Sequence, residues 1–501
     1  MNRNSLTTAV IAGIAGVAGI ANMASAVNLN PDGLGQVLLY PYYTVNGGQQ
    51  TLLSVVNTDT VNGKAVKVRF LEGYNSREVL DFNLFLSPAD VWTANVFALA
   101  DAGVSGTGAA IFTTDNSCTA PAFPEGPLAN GAHYQHFLNY AYSGSNSDTG
   151  PTTDDRTREG HFEMIQMSDI LPATTLFTET KHVNSVPPGC SKAETQFENS
   201  ATDTGVPTGG LFGSASVVNV AEGTFYAYNA DALAGFSAIK LNTPTGSLFP
   251  ALNQVNDAGA AAGTVTSLVF NNGQLITSPY PYPANAIDAV SSVFAAANIY
   301  NQYETSTNGS VGTDWVVNFP TKRFYVDAAT FGLTKVIPPF EHLFGAKETG
   351  NGLGLSCTIV GITIFDREEN TTTPTGCGFS PCPPGQPPSS ICHETNVITF
   401  DLTGTASILD SGLTANIKPI GAAGWTNLTL TGNGHDMRPA SGAVIAATGN
   451  VFHGLPITGF QATEFVNGSL SVGGVSTLSN YSGVYRHRQS RSCTNGAGAC
   501  S

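Results

Sequence analysis

Residues 36–45 read QVLLYPYYTV, and residues 51–57 read TLLSVVN beyond the turn Asn46-Gly47-Gly48. Branched and aromatic side chains on both sides of an Asn-Gly turn spell strand, turn, strand. Residues 65–71, AVKVRFL, then alternate, with Val66, Val68 and Phe70 on one side and Lys67 and Arg69 on the other. Period two with basic residues on one side predicts a half-buried strand. Residues 78–86, EVLDFNLFL, make a fourth strand candidate. Four strands in so short a span are the start of a β-sandwich.

Composition points the same way. Charged residues are 11 % of the chain and glycines number 55, against a charged fraction of about 25 % in ordinary domains. Thr, Ser and Asn stand where helical surfaces carry Lys and Glu. Short strands at 396–402, 406–409, 415–417, 426–431, 443–447 and 460–465 are separated by Gly, Asn or Asp. The expected fold is therefore all-β, mainly antiparallel, with two packed β-sandwich-like domains, few short helices and long loops. Ser87-Pro88-Ala89-Asp90 places an N-cap residue before a proline and predicts a short helix to about Ala100. Residues 284–300 carry Ile287, Val290, Phe294 and Ala297 on one stripe and predict the best helix. These divide the chain into an N-terminal β-rich domain, 27–280, a helical connector, 281–310, and a C-terminal β-rich domain, 311–501. Residues 115–158 and 183–209 read as loops, and 355–365 as one long strand. The strands are shorter and less regular than the roughly 10-residue dyad strands of an outer-membrane barrel.

The first residues predict export. Arg3 is the one charge ahead of an apolar run at 9–20, and Ala24-Ser25-Ala26 supplies small residues for a signal peptidase. The expected signal peptide is 1–26, cleaved after Ala26. Val27 follows rather than Cys, which argues against a lipoprotein. The run falls short of the roughly 20 apolar residues of a membrane span, so no transmembrane segment is expected once the signal is removed.

Eight cysteines follow the signal: Cys118, Cys190, Cys357, Cys377, Cys382, Cys392, Cys493 and Cys500. An even number in an exported chain reads as disulfides. About 105 pairings are open to eight cysteines. Locality favours Cys377 with Cys382 and Cys493 with Cys500, leaving Cys118 with Cys190 and Cys357 with Cys392. No C-x-x-C pair suggests thiolate zinc. Twenty Lys and Arg against 36 Asp and Glu give a net charge of −16, which repels nucleic-acid phosphate and suits divalent cations.

Several stretches resemble a family of uncharacterised exported proteins of Gram-negative bacteria, often labelled cell-surface proteins. They are LYPYYT at 39–44, AVKVRFLEGYNSREVLDFNLFLSPADVWT at 65–93, GSASVVNVAEGTFYAYNADAL at 213–233, TDWVVNFPTKRFYVD at 313–327, FDREE at 365–369 and ETNVITF at 394–400. The resemblance implies location and architecture rather than chemistry. It extends to Cys118 beside Asn116-Ser117, Cys190 after Pro187-Pro188-Gly189, Cys357 and Cys392; the other four cysteines look like additions.

Candidate chemistry is sparse. No G-x-S-x-G elbow occurs. Asp366, Glu368 and Glu369, around Arg367, form the sharpest acid cluster and the candidate calcium ligands; Asp148, Asp154 and Asp155 are a second set. His133 and His136 read as surface imidazoles. Gly434-His435-Asp436 beside Arg438 reads as a turn with a local ion pair. Tyr40, Tyr42, Tyr43, Trp92 and Trp315 are expected in the core rather than on a sugar platform. Asn427-Leu428-Thr429 and Asn467-Gly468-Ser469 match glycosylation sequons but read as strand and turn residues.

The expectation is a non-enzymatic, secreted or cell-surface structural or interaction protein of the outer envelope, with the periplasm as second choice. Its expected partners are copies of itself or envelope components, and its only candidate cofactor is calcium. A carbohydrate- or calcium-binding module is the alternative, and a hydrolase without a signature the third reading.

Overall fold

The structure, a computed structural model, describes residues 26–148, 150–345, 355–372, 390–402, 407–440 and 449–500. The leader, Cys377, Cys382 and the strand expected at 443–447 lie outside the described residues. The fold is all-β, built mainly of antiparallel sheets.

The first sheet is centred on Glu159–Ile170, a strand buried at all 12 positions. It lies between Val37–Thr44 and Gly63–Glu72, both antiparallel to it. Outward from these come Asp231–Ala234 and Asn28–Leu29 on one side, Glu78–Leu86 and Cys118–Ala120 on the other. The second sheet runs Thr224–Asn229, Leu211–Asn219, Gln50–Asn57, Val91–Ala98, Ala109–Phe112, Tyr134–His136. Tyr40, Tyr42, Tyr43, Phe70, Trp92 and Phe162 fill the core between the two. Tyr40 stacks on Phe162 at 4.1 Å, and Phe70 stacks on its other side at 4.8 Å. The aromatic run expected in the core is therefore there, and Trp315 is buried as well.

The C-terminal half holds two five-stranded sheets. One runs Thr414–Ile417, Thr395–Phe400, Val311–Asn318, Thr458–Phe465, Tyr481–Arg486. The other runs Thr371–Thr372, Gly361–Asp366, Ala423–Thr429, Asn298–Glu304, Arg488–Ser490. Alternation sends the Val311–Asn318 strand into two cores. Val316, with Val397, Phe460 and Ala462, joins the first sandwich. Trp315 and Val317, with Ile398 and Phe400, face the second five-stranded sheet.

Among the described residues three disulfides form, Cys118–Cys190, Cys357–Cys392 and Cys493–Cys500. The first ties the edge strand Cys118–Ala120 to a helix, Cys190–Asn199. That helix replaces part of the loop expected at 183–209; Ala193 and Phe197, four residues apart, bury its one apolar stripe.

Other expectations are corrected. The helix expected after Ser87 is the strand Val91–Ala98. Ala89 turns the chain at φ +55°, Asp90 closes the turn by accepting from Ser87 N at 2.8 Å, and β-favouring Val91, Trp92, Val96 and Phe97 set the rest. The helix expected at 284–300 covers only Ala286–Phe294. Within the span expected as a helical connector, Ile299 and Tyr303 instead alternate with Tyr300 and Gln302 in the strand Asn298–Glu304. The long strand at 355–365 is broken at Val360 into Thr358–Ile359 and Gly361–Asp366.

The largest correction concerns the strand expected at 65–71 to be half-buried, which forms as Gly63–Glu72. It is buried at every position. Lys67 pairs with Asp81, and Arg69 with Glu78 and with Glu163 at 2.9 Å. Arg323 reaches the same Glu163 oxygen at 3.1 Å, and Lys64 pairs with Asp169 at 2.8 Å. Arg156 is clasped by two carboxylates, Glu72 at 2.7 Å and Asp148 at 2.6 Å. Burying these charges is tolerable because each has an opposite charge in contact.

Glu163→Gln leaves Arg69 and Arg323 buried without their shared anion. Equilibrium denaturation is expected to show a loss of about 3–5 kcal/mol, the usual cost of removing one partner of a buried pair. A loss below about 1 kcal/mol, the range of an exposed pair, would contradict this.

Candidate interaction face

The sequence-predicted acids do not meet as a site. Asp366 serves its own turn: its carboxylate accepts from Glu368 N at 2.9 Å and from Asn370 N and Nδ2 at 2.8 Å each. Those bonds, led by Asn370's side chain, hold its pKa below the usual carboxylate value. Glu369 sits at φ +65° in that turn. Asp148 is spent on Arg156, while Asp154 and Asp155 open the short helix Asp154–Arg158. Among the described residues, no group of three or more His, Cys, Asp or Glu is placed to hold a metal.

His136 pairs with Glu125, and His133 Nδ1 lies 3.1 Å from the Glu125 carbonyl. Arg438 does not pair within its own turn but with Asp288 of the helix Ala286–Phe294, at 2.7 Å. Asp436 instead meets His453 Nδ1 at 2.6 Å, and His453 Nε2 meets Thr494 Oγ1 at 2.7 Å. This hydroxyl–imidazole–carboxylate chain escaped the sequence reading, because its members lie on three separate segments. Its carboxylate is 60 % exposed, so water competes for the imidazole and the chain reads as surface hydrogen bonding. Trp425, 41 % exposed, stacks on Phe365 at 4.2 Å. That stacking covers a ring face that a sugar would use.

Two buried acids hold one strap of chain. Asp314 accepts from the Ser407 hydroxyl and from Leu409 N at 3.0 Å. Glu159 accepts from the Ser411 hydroxyl, from Tyr42 Oη at 2.8 Å and from Gly412 N at 2.9 Å. Burial pushes the Glu159 carboxyl up to about 7 and Asp314 up to about 6. A cleft of about 370 Å³ opens beside Glu159, lined also by Tyr74, Arg156, Arg158 and Leu413. Arg158 gives its donors to Asn46 Oδ1 and to the Val45 and Thr107 carbonyls, and Arg156 is already clasped. Glu159, Arg156 and Arg158 in the cleft thus already have partners within the chain.

The second sheet differs from all of this. Its six strands, QTLLSVVN, VWTANVFA, AAIF, YQH, LFGSASVVN and TFYAYN, contain no Asp, Glu, Lys or Arg. Strand alternation turns Leu53, Val55, Trp92 and Val217 inward to the core. It turns Leu52, Val91, Phe212 and Phe225 outward, at 43, 48, 41 and 53 % exposure. Ser54, Thr93, Asn95, Ser214 and Ser216 fill the places between them and line a cavity of about 420 Å³. A second cavity, about 510 Å³, lies over Gln50, Leu52, Val218 and Val220. A third, about 510 Å³, lies at the sheet's edge, where Thr224–Asn229 runs beside Tyr481–Arg486. There Ser482 Oγ accepts from Phe225 N and donates to Phe225 O, both at 2.9 Å, and Arg486 pairs with Asp231. The charges on the border are few: Asp101, Glu222, Asp231 and Arg486. An apolar-and-hydroxyl sheet face without charges, on a chain of net charge −16, is the kind of surface that partners cover. No family model, curated protein or solved structure matches this chain.

Glu159's folded pKa of about 7 lies above its ordinary 4.5. The native state therefore binds this proton more tightly, and the resulting stability is present below pH 4.5 and lost as pH rises through about 7. Glu159→Gln is expected to flatten the fall in unfolding free energy over that window. Urea titrations at several pH values check this; an unchanged slope would contradict it.

Proposed function

We propose that this chain is an exported cell-surface protein that works by contact rather than by catalysis, and that the charge-free sheet face is its contact surface. The face carries the reading, because exposed apolar side chains gathered on one uncharged sheet are costly in water unless a partner covers them. The three disulfides support a life in an oxidising space. The leader 1–26 supplies the route, and the resemblance to exported cell-surface proteins agrees with both. No helix among the described residues is long and apolar enough to cross a membrane.

Cell fractionation with surface proteolysis tests the location. The native protein is expected to begin at Val27, to be cleaved by protease added to intact cells and to carry no titratable thiol. A chain that begins at Met1 and remains reduced in the cytoplasmic fraction would overturn the reading.

A further inference from the structure

One element of the fold has no partner among the described residues that would justify its composition. Ser469–Val472 and Val475–Leu478 form a two-stranded ribbon of their own, in register Ser469 to Leu478. Gly473 at φ +60° and Gly474 at φ +82° make the two-residue turn that this register needs. Its sequence, SLSVGGVSTL, has no charge. Leu470, Val475 and Leu478 are 55, 65 and 48 % exposed. A lone two-stranded ribbon is marginal in water, and polar residues would be expected on both its faces if it stayed there.

The base of the ribbon is fixed. Asn480 Oδ1 accepts from Asn467 N at 3.1 Å and from Gly468 N at 3.3 Å, and Asn467 Nδ2 donates to Ser479 O at 3.0 Å. Asn480 Nδ2 donates to Glu222 O at 2.7 Å. The ribbon therefore rises from the border of the charge-free face, beside the turn after Leu211–Asn219.

We propose that this ribbon is an arm that seats on the charge-free sheet face of a second copy of the chain. The proposal rests on the contact-surface reading above and names its partner. Three observations select a second copy. The arm and the face share one chemistry, uncharged apolar side chains beside hydroxyls: Leu470 and Val475 with Thr477 on one face of the arm, Leu52 and Phe212 with Ser54 and Ser214 on the sheet. At −16, two copies repel except where uncharged surfaces meet. The arm also begins at the rim of the face, next to Glu222, so a single two-fold axis lets each copy's arm cross to the other's face. The cavity over Leu52, Val218 and Val220, about 510 Å³, receives the arm's aliphatic side chains.

The test uses the full mature chain with its disulfides intact, in sedimentation velocity and light scattering from micromolar concentration upward. The parent is expected to be a dimer. Leu470→Glu with Val475→Glu on the arm, and separately Leu52→Glu with Phe212→Glu on the face, are each expected to raise the dimer dissociation constant about thirtyfold or more, as centrally placed contacts do. Val475→Ser, a milder arm variant, is expected to act in the same direction if the glutamate pair unfolds the ribbon. Thermal midpoints should stay near the parent's monomer value. A monomeric parent, or a dimer indifferent to either set of variants, would overturn the proposal. Surface accessibility on intact cells is scored separately: a surface-exposed monomer discards the arm and keeps the contact reading, whereas a cytoplasmic, reduced chain discards the contact reading whatever its mass.

Discussion

Glu163 holds two guanidiniums at once, Arg69 from the neighbouring strand and Arg323 from the C-terminal half, in a site where the carboxylate is 1 % exposed. Everything around it follows from that burial. A lone ion there would be ruinous, so opposite charges must arrive together and their strands must be in register. Arg69 can reach Glu163 because Gly63–Glu72 and Glu159–Ile170 pair with these two residues directly opposite each other. Arg323 can reach it only because the segment after Val311–Asn318 packs onto the first sheet. One carboxylate thus links the folding of the two halves. The Val311–Asn318 strand, with Val316 in one core and Trp315 in the other, makes the same link with apolar contacts.

The distribution of charge is the inverse of the usual arrangement. The first sheet collects Lys64, Lys67, Arg69, Glu72, Glu163 and Asp169 and buries them against covering segments. The second sheet has no such residue on any of its strands and leaves Leu52, Phe212 and Phe225 in water. In an ordinary monomer the alternation would be apolar inward and charged outward. Here an uncharged outer face sits on a strongly acidic chain, and a like-charged molecule meets less repulsion at such a face.

The sequence made the all-β class legible through 36–57 and 65–86, because period-two patterning and an Asn-Gly turn act locally. Locality suggested Cys493–Cys500, whereas Cys118–Cys190 and Cys357–Cys392 were only what remained once Cys377 was paired with Cys382, which lie outside the described residues. Local rules failed where tertiary contacts decide. Lys67 and Arg69 look like a solvated side until Asp81, Glu78 and Glu163 are brought against them from other strands. Ser87-Pro88 looks like a helix start until Val91–Ala98 finds its partner Gln50–Asn57. The charge-free face was hidden for the same reason. Gln50–Asn57 and Thr224–Asn229 read as ordinary strands, Val91–Ala98 as a helix and Tyr134–His136 as loop, and only their pairing puts Leu52, Phe212 and Phe225 on one face. Asp366 was misleading, since Asp366, Glu368, Glu369 and Asn370 around Arg367 also suit a turn that uses the carboxylate for its own backbone.

Amide hydrogen exchange followed by mass spectrometry, at low and at high protein concentration, tests most directly that the charge-free face is where this chain makes contact. Slower exchange at high concentration is predicted in Leu211–Asn219, Thr224–Asn229 and the ribbon 469–478, with Glu159–Ile170 protected equally at both. Exchange that is independent of concentration in all of these segments would contradict the account.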